Sequence, residues 1–127
     1  MGTQTAAAMV AAARQRVEGL TPDQVARELA NGVLLVDIRE TEERKAVGVI
    51  PGSTHAARGM LEFYADPTSP YHRLDFDPDQ RLVLYCASSG RSALAADMLR
   101  PLGYRDVAHL DGGIKAWIEA GRPIETA

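Results

Sequence analysis

The sequence contains a single cysteine, Cys86, among its 127 residues. One cysteine excludes a disulfide within the chain and any zinc site built mainly from cysteine ligands. Three roles stay open for the thiol: an inert buried group, a reactive nucleophile, or a link to another chain. Because free cysteines are commonly buried, the residue taken alone favours the inert group.

Long apolar runs and long runs of basic residues are also missing. The longest apolar run near the N-terminus, residues 6–13, is mostly alanine and has no basic region before it. We therefore expect no membrane span, no signal peptide and a cytoplasmic location, with no membrane partner. The net charge is -3, and no run of five basic residues occurs, which argues against a nucleic-acid partner.

The composition is that of an ordinary folded domain. Hydrophobic residues make up 46% of the chain and charged residues 24%, proportions that argue against a disordered protein. A chain of 127 residues allows one domain and leaves little room for a second.

Short apolar runs that end in polar or reactive residues predict the sheet. Runs without alternation are typical of strands covered on both faces, as in parallel sheets. Helical patterns separate the runs, so the chain is predicted to be an α/β domain with a mainly parallel sheet flanked by helices. The runs are residues 33–36, 82–85 and 107–110, and they end at Asp37, Cys86 and Asp111.

The segment after Cys86 predicts an anion-binding loop. Ligands of open α/β sheets bind beyond the carboxyl ends of the strands, where Cys86 lies. Small residues let the loop curl so that its amides converge, and a thiolate there would be stabilised and nucleophilic. An inert core thiol needs no such loop, which shifts the balance toward a nucleophile. The loop residues are Ala87, Ser88, Ser89, Gly90, Arg91 and Ser92.

Four motifs follow one another in a familiar order. Residues 35–40 include an Asp-x-Arg motif, and residues 48–53 form the turn Gly-Val-Ile-Pro-Gly-Ser. The Cys86 loop comes next, and residues 110–123 include Leu-Asp-Gly-Gly-Ile-Lys-Ala-Trp. Together these motifs resemble a single-domain rhodanese of the sulfurtransferase family, with two departures. Val49 replaces the usual histidine, and Gly90 is four positions after the cysteine where many members have it three after.

The resemblance implies a rhodanese-like three-layer fold and a two-step sulfur transfer. Residues 1–18 would be an N-terminal helical extension and residues 19–127 the rhodanese domain. Cys86 would take sulfur from thiosulfate or a similar donor as a persulfide held by residues 87–92. The sulfur would pass to cyanide, a thiol or a protein thiol, with no cofactor and no metal.

Four charged residues near these motifs have two interpretations each. Arg91 either attracts the anionic donor or shapes the loop through a salt bridge. Asp37 and Arg39 either brace the sheet or contact substrate. Arg58 either lies at the pocket rim or is a solvated surface residue. The segment 58–80, interrupted by prolines, is predicted to be a functional loop or lid.

Three further features have simpler predicted roles. Glu40, Glu42 and Glu43 are predicted to be a solvated helix start. His109 lies in a predicted buried strand and is expected to be a hydrogen-bonded structural histidine. Trp117 is expected to pack in the core beneath the last helix.

Two other functions compete with sulfur transfer. The first is a cysteine phosphatase or arsenate reductase, because certain phosphatases have the same fold as rhodaneses. Phosphatases, however, place an arginine six positions after the cysteine, where this chain has Ser92. Tyr85 also stands where phosphatases have histidine. The second alternative is a sulfur-relay or regulatory interaction module that turns over little small-molecule substrate.

Overall fold

A parallel five-stranded sheet lies at the centre of the protein, whose structure, a computed structural model, describes residues 2–127. The strand order is β1-β5-β4-β2-β3, and helices cover both faces, which confirms the predicted α/β class. The strands are β1 Glu18–Leu20, β2 Leu34–Asp37, β3 Thr54–His55, β4 Leu82–Tyr85 and β5 Val107–Leu110. The helices are α1 Ala6–Arg16, α2 Pro22–Ala30, α3 Thr41–Val47, α4 Leu61–Ala65, α5 Gly90–Leu99 and α6 Gly113–Glu119, with 3-10 turns at Arg58–Met60 and Arg100–Leu102.

The three predicted apolar strands form the middle of the sheet. In β2 and β4 the register pairs Leu35 with Val83 and Val36 with Leu84. Leu35 and Val83 pack on the face covered by α2 and α6, whereas Val36 and Leu84 pack on the face covered by α4 and α5. Since both faces are buried, these strands are apolar at every position except Asp37 and His109, and no alternation is visible in the sequence.

Local signals set the helix boundaries. Thr21 caps α2, because its hydroxyl accepts from the Gln24 amide at 3.2 Å and the Gln24 side chain accepts from the Thr21 amide at 2.9 Å. Pro22 occupies the first helical position, and Val25 is fully buried. None of the helices in residues 2–127 has the length and hydrophobicity needed to cross a bilayer.

The N-terminal residues join the sheet and one helical layer. β1 pairs in parallel with β5, with Glu18 opposite Ala108, so the predicted boundary between residues 18 and 19 falls within a strand. α1 packs against α5, with Ala13 fully buried between them. Arg16 also reaches Asp97 of α5 through hydrogen bonds of 2.9 and 2.6 Å. The division into extension and domain stays a prediction.

The segment 58–80 is irregular but well packed. α4 follows the 3-10 turn at its start, and Leu61 and Phe76 are buried in the core. The hydroxyl of Tyr104 donates to the Ala65 carbonyl at 2.6 Å and ties the end of α4 to the chain before β5.

Candidate active site

Cys86 lies at the carboxyl end of the central strand β4, between β2 and β5. It is 1% exposed and belongs to the core cluster on the α5 side of the sheet, together with Leu84. The amide of Ile38 donates to the Tyr85 carbonyl at 3.0 Å, which continues the β2–β4 pairing up to the residue before Cys86. The thiol is therefore fixed by the sheet and shielded from bulk water.

In the loop after Cys86, the carbonyls of Cys86 and Ala87 are bonded, whereas the amides of residues 87–92 have no acceptor among residues 2–127. The amides of Ile114 and Lys115 in α6 donate to the carbonyls of Cys86 and Ala87, at 3.0 and 3.2 Å. Among residues 2–127, no acceptor receives a hydrogen bond from the N–H groups of residues 87–92. Consecutive amides without acceptors at the start of a helix form a binding site for an anion.

Gly113 permits the close approach of α6 to this loop. Its φ angle is +62°, in the left-handed region that favours glycine. A Cβ atom on Gly113 would lie 2.5 Å from the Cys86 carbonyl oxygen and would also collide with the carbonyl oxygen of Ser88. Only glycine at this position allows the two hydrogen bonds from α6 to form.

A buried polar pair supports the loop from below. The Ser92 hydroxyl donates to the Ser89 carbonyl at 3.1 Å and lies 2.9 Å from Nδ1 of His109. Because the single hydroxyl proton of Ser92 goes to Ser89, the His109 Nδ1–H group is the donor to Ser92. His109 is 2% exposed, and burial lowers its pKa. The prediction of a hydrogen-bonded structural histidine is confirmed.

Ser89 connects the loop to the end of β5. Its hydroxyl donates to Oδ1 of Asp111 at 3.1 Å and accepts from the Gly112 amide at 2.7 Å. The same Asp111 oxygen accepts from Nη2 of Arg14 in α1 at 2.9 Å. The loop is thus linked through side chains to the N-terminal helix.

Arg91, at the start of α5, is bound by a carboxylate from α3. Its two terminal nitrogens donate to the two oxygens of Glu43 at 2.7 and 2.8 Å. The hydrogen bonds from Arg91, opposed by burial and helped by the Glu40 amide, lower the pKa of Glu43 to about 2. The predicted helix start is confirmed, and Glu42 in its first turn is 88% exposed on its side chain, but Glu43 is ion-paired and not simply solvated.

Asp37 and Arg39 form a buried ion pair beneath the same end of the sheet. Both side chains are 0% exposed, and Arg39 donates to Asp37 at 2.9 and 2.8 Å. Arg39 also donates to the Gly48 carbonyl at 2.8 Å, and Arg44 donates to Asp37 at 3.0 Å. These bonds tie β2 to the last turn and the C-terminal end of α3, the geometry of a brace.

Arg58 and Val49 lie outside the Cys86 loop. The Arg58 guanidinium donates to Glu62 at 3.0 Å in an ion pair along one helical face. Val49 is 6% exposed and pairs through its backbone with Glu125, which brings the C-terminal segment against this turn. Trp117 packs in the core as expected, and its indole N–H donates to the Pro123 carbonyl at 2.7 Å.

The structure thus brings Cys86, residues 87–92 and the Asp37–Arg39 pair to one end of the sheet. Three further residues contact the loop or its supports, although the sequence analysis did not identify them as site residues. These are Arg14, Glu43 and Gly113. Glu43 had a usable signal, because the first turn of a helix after β2 lies beside the loop that follows the neighbouring β4. Arg14 had none, since no motif connects the N-terminal helix to the loop.

Comparison with known proteins identifies the family. Residues 21–120 match the model of the rhodanese-like domain. A sulfurtransferase of Allochromatium vinosum is 34% identical over 110 residues, which are 85% of this chain and 94% of that protein. The chain therefore belongs to the rhodanese-like domain family, and the resemblance found in the sequence is confirmed.

Solved structures agree on the fold. A Rhodopseudomonas palustris protein of unknown function, described as a possible tyrosine phosphatase, has a TM-score of 0.91 at 43% identity, covering 98% of this chain and 97% of that one. The polysulfide-sulfur transferase of Wolinella succinogenes has a TM-score of 0.76 at 29% identity, covering 94% of this chain and 86% of that one.

Proposed function

We propose that the protein is a sulfurtransferase that moves sulfane sulfur from thiosulfate, or a similar donor, to an external acceptor through a persulfide on Cys86. The observation that supports this most strongly is the row of N–H groups in residues 87–92 that have no acceptor among the described residues. These amides directly follow the one thiol in the sequence. Aligned amides stabilise an anion without any need for a side-chain charge.

In the first step the Cys86 thiolate attacks the outer sulfur of thiosulfate. The Cys86 Sγ–S bond forms, the S–S bond of thiosulfate breaks, and sulfite leaves with the electron pair of that bond. The product is an anionic persulfide, Cys86–S–S⁻, so the total charge is conserved. The amides of residues 87–92 would bind the negative charge of this persulfide.

In the second step an acceptor takes the outer sulfur. Cyanide attacks it to give thiocyanate, or a thiolate attacks it to give a new persulfide, and Cys86 is released as a thiolate. The sequence holds no second cysteine that could resolve the persulfide within the chain. The acceptor must therefore be an outside molecule, either a small thiol or the thiol of a protein.

The contacts of Arg91 favour a structural role for this arginine over direct donor binding. Both of its terminal nitrogens are occupied by Glu43, so its charge is compensated. Arg91 would therefore hold the loop to α3, and the amides would bind the donor. The burial of Cys86, at 1% exposed, favours a donor that presents a single projecting sulfur atom.

The same contacts argue against a phosphatase, despite the description of the Rhodopseudomonas relative. Arg91 is five positions after Cys86, one fewer than in cysteine phosphatases. The loop is accordingly shorter, and its arginine is not free to bind the equatorial oxygens of a phosphate. A phosphate ester is thus a poorer match to this site than a sulfane sulfur.

Steady-state kinetics with thiosulfate and cyanide test the proposal. The wild-type protein should form thiocyanate, Cys86→Ser should form none, and Gln80→Ala, at the opposite end of the sheet, should match the wild type. Polysulfide with a low-molecular-weight thiol tests the alternative donor and acceptor in parallel. Thiocyanate formation by Cys86→Ser, or hydrolysis of an aryl phosphate faster than sulfur transfer, would overturn the proposal.

A further inference from the structure

The N-terminal helix reaches the Cys86 loop through two side chains. Arg14 of α1 donates to Asp111 at 2.9 Å, and Ser89 of the loop donates to the same carboxylate oxygen at 3.1 Å. α1 lies outside residues 21–120, the part of the chain that matches the family model. The link therefore involves a helix outside the part of the chain that the family model matches.

Ser89 is the residue through which this link acts on the loop. It is 8% exposed, and its hydroxyl is held at two points, by Asp111 as acceptor and by the Gly112 amide as donor. Its carbonyl accepts from the Ala93 amide at 2.9 Å and from the Ser92 hydroxyl at 3.1 Å. Because Ser89 lies within residues 87–92, its orientation sets that of the neighbouring free amides.

Asp111 also brings a negative charge close to the loop. Asp111 places a carboxylate one hydrogen bond away from a loop that would bind a dianionic donor and an anionic persulfide. An uncompensated negative charge at this distance disfavours both species. The Arg14 guanidinium compensates the negative charge of Asp111. A second contact between α1 and the loop is apolar: the side chain of Val10 lies close to Gly90 at the start of α5.

We propose that Arg14 is a positioning residue that orients Asp111 and Ser89 and offsets the Asp111 charge, and so raises the affinity of the site for an anionic sulfur donor. This inference rests on the sulfur transfer proposed above and adds the N-terminal helix to the machinery. The ion pair is about half exposed, with 46% and 50% of the two side chains accessible, so its effect is modest.

α1 also provides a matched control. Arg16, two residues after Arg14, holds the same helix to α5 through Asp97. The Arg16–Asp97 pair makes no hydrogen bond to residues 86–92. Loss of either arginine removes one ion pair between α1 and the rest of the protein, but only loss of Arg14 leaves the Asp111 carboxylate unpaired.

The test compares Arg14→Gln, Arg16→Gln and Arg14→Gln combined with Asp111→Asn. Arg14→Gln should raise the KM for thiosulfate roughly three- to fivefold with kcat within about twofold, whereas Arg16→Gln should change neither. The double variant should return KM to within about twofold of wild type, because asparagine keeps an acceptor for Ser89 without the charge. A rise in KM with Arg16→Gln equal to that with Arg14→Gln, or no rescue by Asp111→Asn, would overturn the proposal.

A readout without turnover separates this inference from the proposed function. Hydrogen exchange of the Gly112 amide reports on its bond to Ser89, and Arg14→Gln should accelerate it at least threefold more than Arg16→Gln does. If the wild type transfers no sulfur, the proposed function fails, and the exchange rates still decide whether Arg14 supports the loop. Equal exchange rates in the two variants would refute the link.

Discussion

Glu43 and Arg91 are 48 residues apart in the sequence and are joined by two hydrogen bonds of 2.7 and 2.8 Å. The bonds connect the first turn of α3 with Arg91, which belongs both to the Cys86 loop and to the first turn of α5. The loop is therefore held at four places: by this pair, by the α6 amides on the carbonyls of residues 86 and 87, by the Ser89–Asp111 contact and by the Ser92–His109 pair. These four supports explain how so short a loop of small residues keeps a fixed backbone whose amides have no acceptor among residues 2–127.

Removal of the Glu43 charge tests the role of Arg91. Glu43→Gln should lower the free energy of unfolding by roughly 0.5–1 kcal/mol, since both partners are partly exposed, and should slow sulfur loading of Cys86 several-fold. The matched control is Glu42→Gln, whose side chain is 88% exposed and should change neither quantity. Urea denaturation and single-turnover loading measure the two effects. Faster loading in Glu43→Gln would instead show that a freed Arg91 binds the donor.

The same pair predicts an acid-sensitive part of the stability. The pKa of Glu43 is about 2 in the folded protein against an ordinary value of 4.5, so the folded state favours the ionised carboxylate. This contribution is fully present above pH 4.5 and is lost as the pH falls from 4.5 toward 2. In urea denaturation, the stability difference between wild type and Glu43→Gln should shrink over that range. A difference that is constant from pH 6 to pH 3 would contradict the assignment.

His109 predicts a second pH dependence, closer to neutrality. Burial lowers its pKa, with Asp111 opposing and Arg14 assisting the shift, so the folded state favours the neutral ring. Stability from this group is complete above its ordinary pKa of 6.5 and declines as the pH falls below that value. His109→Asn keeps a donor for Ser92 and should flatten the fall of Tm between about pH 7 and pH 5. An unchanged slope would show that other groups cause it.

Alanine substitutions at two glycines with left-handed backbone angles distinguish the cost of backbone strain from the cost of a steric collision. Gly113 has φ +62° and no room for a Cβ atom, whereas Gly121 has φ +77° and no atom within 4 Å of that position. Gly121→Ala should cost about 1–2 kcal/mol of unfolding free energy, the cost of the backbone conformation alone. Gly113→Ala should cost at least twice as much, because α6 must move away from the loop. Similar denaturation midpoints for the two variants would contradict the close contact between α6 and the loop.

The sequence predicts those parts of the fold that depend on local pattern. Strands β2, β4 and β5 are visible because each is a buried apolar run, and α2 is visible because Thr21 and Pro22 form a helix start. β1 and β3 contain three and two residues, and most of these are polar or partly exposed. Such short strands exist only because neighbouring strands offer hydrogen-bonding partners, so no local pattern predicts them.

The candidate site likewise has a part that the sequence predicts and a part that it does not. Cys86 and residues 87–92 are contiguous, so their motif could be recognised and their free amides anticipated. The contacts of Glu43 with Arg91 and of Arg14 with Asp111 join residues 48 and 97 positions apart. Contacts of this kind depend on how α3 and α1 pack against the rest of the protein, and no local sequence pattern predicts that packing.

The most direct test of the account is to locate the transferred sulfur. The protein is treated with thiosulfate, freed of excess donor, digested without reductant and analysed by mass spectrometry. We expect one added sulfur atom on the peptide that contains Cys86, its loss on addition of cyanide, and no adduct in Cys86→Ser. An unmodified Cys86 peptide in a protein that still forms thiocyanate would contradict the central claim, because the sulfur would then pass from donor to acceptor without a persulfide on Cys86.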